Sequence, residues 1–130
     1  MSKTIFTFGS NEKGIHGAGA ALVAYKKHGA RYGMSYGHYG DSFAIPTKDQ
    51  SLRPLPLETI HDYVRGFIAY AEGHHELTFQ VTRIGCGLAG FTDEQIAPMF
   101  QLAPVNCQFD DEWRPFLNND YFVFWGTYHQ

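Results

Sequence analysis

The hydrophobic and polar positions divide the chain into short alternating elements. Residues 3–8 are β-rich and read as a first strand, broken by the turn chemistry of residues 9–14. Residues 20–28 are good helix formers, with Lys26, Lys27 and His28 in the last turn and Gly29 as a stop. Residues 31–41 interleave Gly33, Gly37 and Gly40 with Tyr32, Tyr36 and Tyr39, and predict a loop or irregular hairpin. A short strand follows at 42–45 and ends at Pro46-Thr47-Lys48-Asp49, before a proline-bearing loop. From Leu57 the residues Ile60, Val64, Phe67, Ile68 and Ala71 recur at helical spacing, as expected of a helix of about four turns. Gly73 ends it, and the apolar run 77–81 predicts a buried strand. A glycine-rich stretch leads to a helix at 93–100. Residues 103–107 look like a strand, 110–119 like a loop or one helical turn, and 121–125 like a last, aromatic strand. Strands alternating with helices predict an α/β protein: a three-layer α/β/α sandwich around a mostly parallel mixed sheet.

Composition narrows the function classes. At 130 residues the chain is expected to form a single domain over its whole length. A net charge of −3 argues against a nucleic-acid binder that works by general electrostatics, and Lys26-Lys27 is the longest basic run. The two cysteines, Cys86 and Cys107, make neither a disulfide framework nor a CxxC pair and suit a reducing, cytoplasmic setting. No signal peptide is read at the start, and no apolar stretch is long enough to span a membrane. His74-His75 and the other histidines have no metal-ligand spacing, so neither a metal nor a cofactor is expected. The aromatic share of 16% admits either a dense core or a ring-lined cleft that stacks on a base.

The candidate chemistry lies in two glycine-rich stretches between a strand and a helix. Residues 82–91 carry Gly85, Gly87 and Gly90, and residues 14–19 carry Gly14, Gly17 and Gly19. Bare backbone ahead of a helix N-terminus favours an anion, phosphate above all. Either stretch could instead be a tight turn or permit close helix packing. Lys48 ends the 42–45 strand and could meet the same ligand. Asn11 could bond a ribose or only shape a turn, and Phe91 could plug the core or back a sugar. His16, next to Gly17 in this glycine-rich stretch, is expected to be exposed. Cys86 has no declared partner as a nucleophile. The segments 9–19, 46–49 and 83–91 all leave strands at their carboxyl ends, where such sheets bind ligands.

Three of these segments resemble macrodomains, the ADP-ribose-binding modules, and most of all the branch of the terminal ADP-ribose protein glycohydrolase. That branch has Met-Gly-Ala-Gly-Ile-Ala before a lysine-rich helix, similar to His16-Gly17-Ala18-Gly19-Ala20-Ala21 before Lys26-Lys27. Its strand ending in Ile-Thr-Lys is similar to Ile45-Pro46-Thr47-Lys48, and its Arg-Ile-Gly-Cys-Gly-Leu-Asp to Arg83-Ile84-Gly85-Cys86-Gly87-Leu88-Ala89. The match covers roughly residues 4 to 108, leaving 109–130 as a C-terminal extension. It implies a small-molecule ligand, ADP-ribose or a related NAD-derived nucleotide diphosphate, free or carried on protein or nucleic acid. It implies ligand contacts from Gly17, Ala18, Gly19, Ala20, Lys48, Gly85, Cys86, Gly87, Leu88, Ala89, Gly90 and Phe91, beside which Asn11, His16 and Arg83 stand as further candidate ligand contacts. It also implies possible hydrolysis of an ADP-ribosyl linkage, with Lys48 as amine nucleophile. The branch's carboxylate after Gly-Cys-Gly-Leu is Ala89 here, which leaves Asp41 and Asp49 as acids near in sequence. The family's N-terminal hairpin with its adenine-reading acid has no counterpart, and the aromatic run 121–125 is a candidate to fill that edge. The alternative is a noncatalytic interaction domain with structural glycine loops.

Overall fold

The computed structural model describes residues 3–127. Six strands form one sheet: β1 (Lys3–Asn11), β2 (Gly37–Tyr39), β3 (Ser42–Lys48), β4 (Leu77–Val81), β5 (Cys107–Asp110) and β6 (Val123–Gly126). The order across the sheet is β2-β3-β1-β4-β5-β6. Only the β2–β3 pair is antiparallel. Three α-helices join them: α1 (Gly19–Lys27), α2 (Leu57–Glu72) and α3 (Asp93–Ile96). The architecture is therefore the α/β sandwich around a mixed sheet that the alternation predicts.

Side-chain alternation along the strands sorts the core into two layers. Ile5, Phe43, Ile45, Phe79, Val81 and Phe109 face α2 in one cluster, with Ile60, Val64, Phe67 and Ala71 from that helix. Phe6, Phe8 and Ala44 point the other way, onto Ala20, Ala21 and Ala24 of α1. The alanines let α1 lie close to the sheet, which brings its N-terminus to the ends of β1 and β3. Aromatic rings form much of the core: Phe8, Phe43, Phe67, Phe79, Phe100, Phe109 and Trp113 are fully buried.

Several elements depart from the sequence reading. β1 does not break at Gly9 but runs on through Asn11, pairing Gly9 with Ile45 and Asn11 with Lys48 around a bulge. β3 extends through Pro46, whose missing N–H is tolerated because the pairing with β2 reaches only to Ala44 of β3 and the bulge in the β1 pairing lies next to Pro46. The strand expected at 103–107 is instead a turn, and β5 starts at Cys107. Asn106 accounts for this: its Nδ2 donates to the carbonyls of Ala71, His74 and Leu77, pinning the segment under the end of α2. The helix expected at 93–100 changes to a 3-10 turn at Ala97–Phe100, where Pro98 enters. A further 3-10 helix spans Asp111–Phe116. The last strand begins at Val123 rather than residue 121 and forms the sheet edge beside β5.

Residues 111–126 are tied to the chain before them. Trp113 and Phe122 are buried in the larger core cluster. Trp113 Nε1 donates to Asp93 Oδ1 at 2.8 Å, and Arg83 donates to the same carboxylate through Nε at 2.9 Å and Nη2 at 2.7 Å. Trp125 Nε1 reaches past β5 to the Val81 carbonyl at 2.9 Å. Residues 82–91 are thus held at both ends by the C-terminal segment. Burial pushes the Asp93 carboxyl up, but the hydrogen bonds from Arg83 and Trp113 outweigh it and hold the group below its ordinary 3.8. A carboxyl depressed on folding stabilises the protein above its unfolded pKa, and that stability is lost as pH falls through the folded value. Asp93→Asn is expected to cost about 2 kcal/mol in urea unfolding at neutral pH. The difference from the unsubstituted protein should close as the pH is taken below 3.8.

Candidate ligand cleft

The three segments that leave β1, β3 and β4 at their carboxyl ends meet around one cleft with a volume of about 360 Å³. Its position follows from strand order: β1 lies between β3 and β4, so all three loops are neighbours. Gly9 makes the convergence possible. A β-carbon there would stand 3.3 Å from Gly85 N and 3.6 Å from Thr47 Oγ1.

The first wall is the approach to α1. Asn11 shapes it: Nδ2 donates to the Ile15 carbonyl at 2.8 Å, and Oδ1 accepts from Ile15 N–H at 3.0 Å. Asn11 lines the cleft, but its amide is engaged in the turn. Gly14 (φ +75°) is packed so tightly against residue 33 that a β-carbon would come within 2.5 Å of Gly33 C. Beyond it, Gly17, Ala18, Gly19 and Ala20 line the cleft. α1 starts there with Ala18 at the N-cap, no side-chain cap and no acidic residue in its first turn. A helix start of this kind leaves N–H donors and the positive end of the helix dipole facing the cleft.

His16 departs from expectation. It is fully buried, not exposed, and does not line the cleft. Its Nε2–H donates to the Arg31 carbonyl at 2.8 Å, and its ring meets Phe8 edge-on. Burial holds the imidazole below its ordinary 6.5, so it is neutral at pH 7. The residue fixes the loop from behind.

The second wall is residues 82–91. Ile84, Cys86, Gly90 and Phe91 donate their N–H groups within the loop. Gly85, Gly87, Leu88 and Ala89 donate to no protein acceptor among the described residues, and all four line the cleft. The helix that follows contributes no dipole site. α3 spans four residues, is closed by a capping box between Thr92 and Gln95, and carries Asp93 and Glu94 in its first turn. The expectation that this loop aims its ligand at a helix N-terminus is therefore corrected: its free donors are its own. Gly90 and Phe91 stand outside the cleft lining. Phe91 packs on the core, its ring 3.3 Å from where a β-carbon on Gly85 would be. Cys86 lines the cleft, but burial first and the Asp93 charge second push its thiol up to about 12. It stays protonated and is no nucleophile at neutral pH.

Lys48 and Arg83 are the charged residues of the lining, and no carboxylate is among them. Arg83 is paired with Asp93 at 2.7 Å, whereas Lys48 makes no ion pair among the described residues. The two acids considered as its partners are committed elsewhere. Asp41 precedes β3, at the opposite end of that strand, and pairs with Lys3 at 2.8 Å. Asp49 closes a turn, its Oδ1 accepting from Ser51 N–H at 2.8 Å and Arg53 N–H at 3.0 Å. Ala89 is buried in the cleft wall where the resembling branch has its acid.

Sequence reasoning missed Ser10, Ile15, Thr47, Leu52 and Thr82, all part of the lining. Thr47 and Thr82 form polar ground beneath it, bonded to the carbonyls of Ser10 and Thr7. Leu52 sits on the turn that Asp49 closes. It is the only non-glycine with positive φ (62°) among the described residues, a conformation that costs about 1 kcal/mol or more. Asp49 ahead of Ser51, a residue type that closes turns with its side chain, is the one signal that could have found it. No aromatic side chain among the described residues lines the cleft.

No protein-family model matches this chain, and no curated protein matches it in sequence. Two solved structures share its fold at 16% identity. One is a protein of unknown function from Bacteroides thetaiotaomicron, with a TM-score of 0.58 over 78% of this chain and 80% of that one. The other is Thermosipho africanus DarTG in complex with ADP-ribose, with a TM-score of 0.59 over 87% of this chain and 39% of that one. The likeness is one of fold: both share the α/β architecture around a mixed sheet that this chain forms.

Proposed function

We propose that this protein binds ADP-ribose or a related NAD-derived nucleotide diphosphate in the cleft between α1 and residues 82–91. The observation that supports the reading best is the uncapped start of α1, facing a loop with four free N–H donors across one cleft. Two phosphates suit such a pair of donor sets, because backbone N–H groups and a helix dipole favour anions without needing a basic side chain. Lys48 adds one unpaired positive charge. A fold shared with a structure that holds ADP-ribose points the same way. Among the described residues no ring lines the cleft for the base to stack on, so polar and aliphatic groups are expected to recognise it. The nucleotide can be free or attached to a protein or nucleic acid.

A second reading adds hydrolysis of an ADP-ribosyl ester. Its motivation is Lys48, which lines the cleft unpaired and carries part of the resemblance to the glycohydrolase branch. A neutral lysine amine would attack the sugar's anomeric carbon and release the carboxylate, and water would then cleave the lysine–sugar bond to give free ADP-ribose and restore the amine. No carboxylate lines the cleft to take the lysine's proton, so binding without turnover is the reading preferred here.

Two measurements separate these readings. Ala18→Asp puts a favourable N-cap on α1, so unfolding should become harder by about 1 kcal/mol, a rise in Tm of about 4 °C. The same carboxylate would occupy the anion site, so ADP-ribose should no longer raise Tm; a retained ligand shift would refute the α1 site. Lys48→Ala should weaken ADP-ribose about tenfold in calorimetry through loss of a charged hydrogen bond. If the unsubstituted protein cleaves a glutamate ADP-ribosyl ester and Lys48→Ala cleaves it as fast, Lys48 is not the nucleophile.

A further inference from the structure

We propose that Leu52 is a specificity residue that covers the Lys48 end of the cleft and grips the group a nucleotide carries beyond its diphosphate, the second sugar in ADP-ribose. The inference rests on the nucleotide-diphosphate reading. It starts from backbone geometry: Leu52 alone among the described non-glycine residues holds a left-handed conformation. Strain of this kind persists only where the surroundings impose it, and it concentrates at ligand clamps.

The surroundings here are a tight turn on the end of β3. Asp49 N–H donates to the Arg53 carbonyl at 2.7 Å, and Leu52 N–H donates to the Asp49 carbonyl at 3.0 Å. The Asp49 carboxylate holds the N–H groups of Ser51 and Arg53. A bridge between Lys48 and Pro54 closes the base. Packing gives no reason for a leucine at the tip. Its side chain belongs to neither core cluster and the residue is 44% exposed.

What the turn achieves is to present an apolar side chain at the cleft, on the same short loop as Lys48. Lys48 and Thr47 beside it are polar. Leu52 supplies the apolar surface that the carbon face of a sugar needs, and it shields that end of the cleft from water. On this assignment a nucleotide that stops at the diphosphate falls short of Leu52.

Calorimetry with the full chain, using ADP-ribose and ADP, tests this. Leu52→Gly and Leu52→Asn both accept positive φ and remove the apolar side chain. Each should weaken ADP-ribose about tenfold, the scale of losing a partly buried leucine, and leave ADP unchanged. Their Tm values without ligand should stay level or rise, because strain is relieved. Leu52→Met should keep ADP-ribose affinity close to that of the unsubstituted protein. Equal losses for both nucleotides, no loss for either, or a fall in Tm in both variants would overturn the assignment. If the unsubstituted protein binds neither nucleotide, the reading on which it rests fails and the inference falls with it.

Discussion

A helix cannot bond its own first N–H groups, and α1 leaves them facing a cleft with no side chain to take them. The rest of the structure is arranged around that start. The small side chains Ala20, Ala21 and Ala24 bring the helix close to β1, and Gly9 lets the ends of β1, β3 and β4 crowd together beneath it. Asn11 and the buried His16 fix the approach from both sides of Ile15. α3 is the internal contrast. It begins after a glycine loop too, yet Thr92 and Gln95 close its start with a capping box, Asp93 and Glu94 put negative charge in its first turn, and it takes no part in the cleft lining.

The opposite wall depends on the end of the chain. Asp93 gathers Arg83 and Trp113, and Trp125 holds the Val81 carbonyl just before the loop begins. Arg83 therefore serves the frame as much as the cleft, because its charge is matched by a carboxylate 2.7 Å away. Lys48 is left as the lining's unpaired charge. That balance favours a ligand of modest negative charge held chiefly by backbone donors, as a diphosphate diester would be.

Much of this was legible in the sequence where a local rule decides the outcome. The spacing of Ile60, Val64, Phe67, Ile68 and Ala71 placed α2, and strand–helix alternation placed three loops at one end of the sheet. What was not legible depends on partners remote in sequence. Nothing around His16 announces that Arg31 and Phe8 will bury it. Residues 103–106 look extended until Asn106 finds three carbonyls around the end of α2. Cys86 shows only the lack of a nucleophile's partner in sequence, whereas its burial and the neighbouring Asp93 carboxylate, which raise its thiol, come from the fold. Leu52 has no local signature beyond the Asp49 turn beneath it.

The central claim is that backbone donors of two particular segments hold a diphosphate. The most direct measurement is an amide ¹H–¹⁵N titration of the protein with ADP-ribose. The account predicts the largest downfield shifts at the N–H groups of residues 19–21 and at Gly85, Gly87, Leu88 and Ala89, with the core of α2 unmoved. Saturable shifts confined to other surfaces, or no shifts at millimolar ligand, would contradict it.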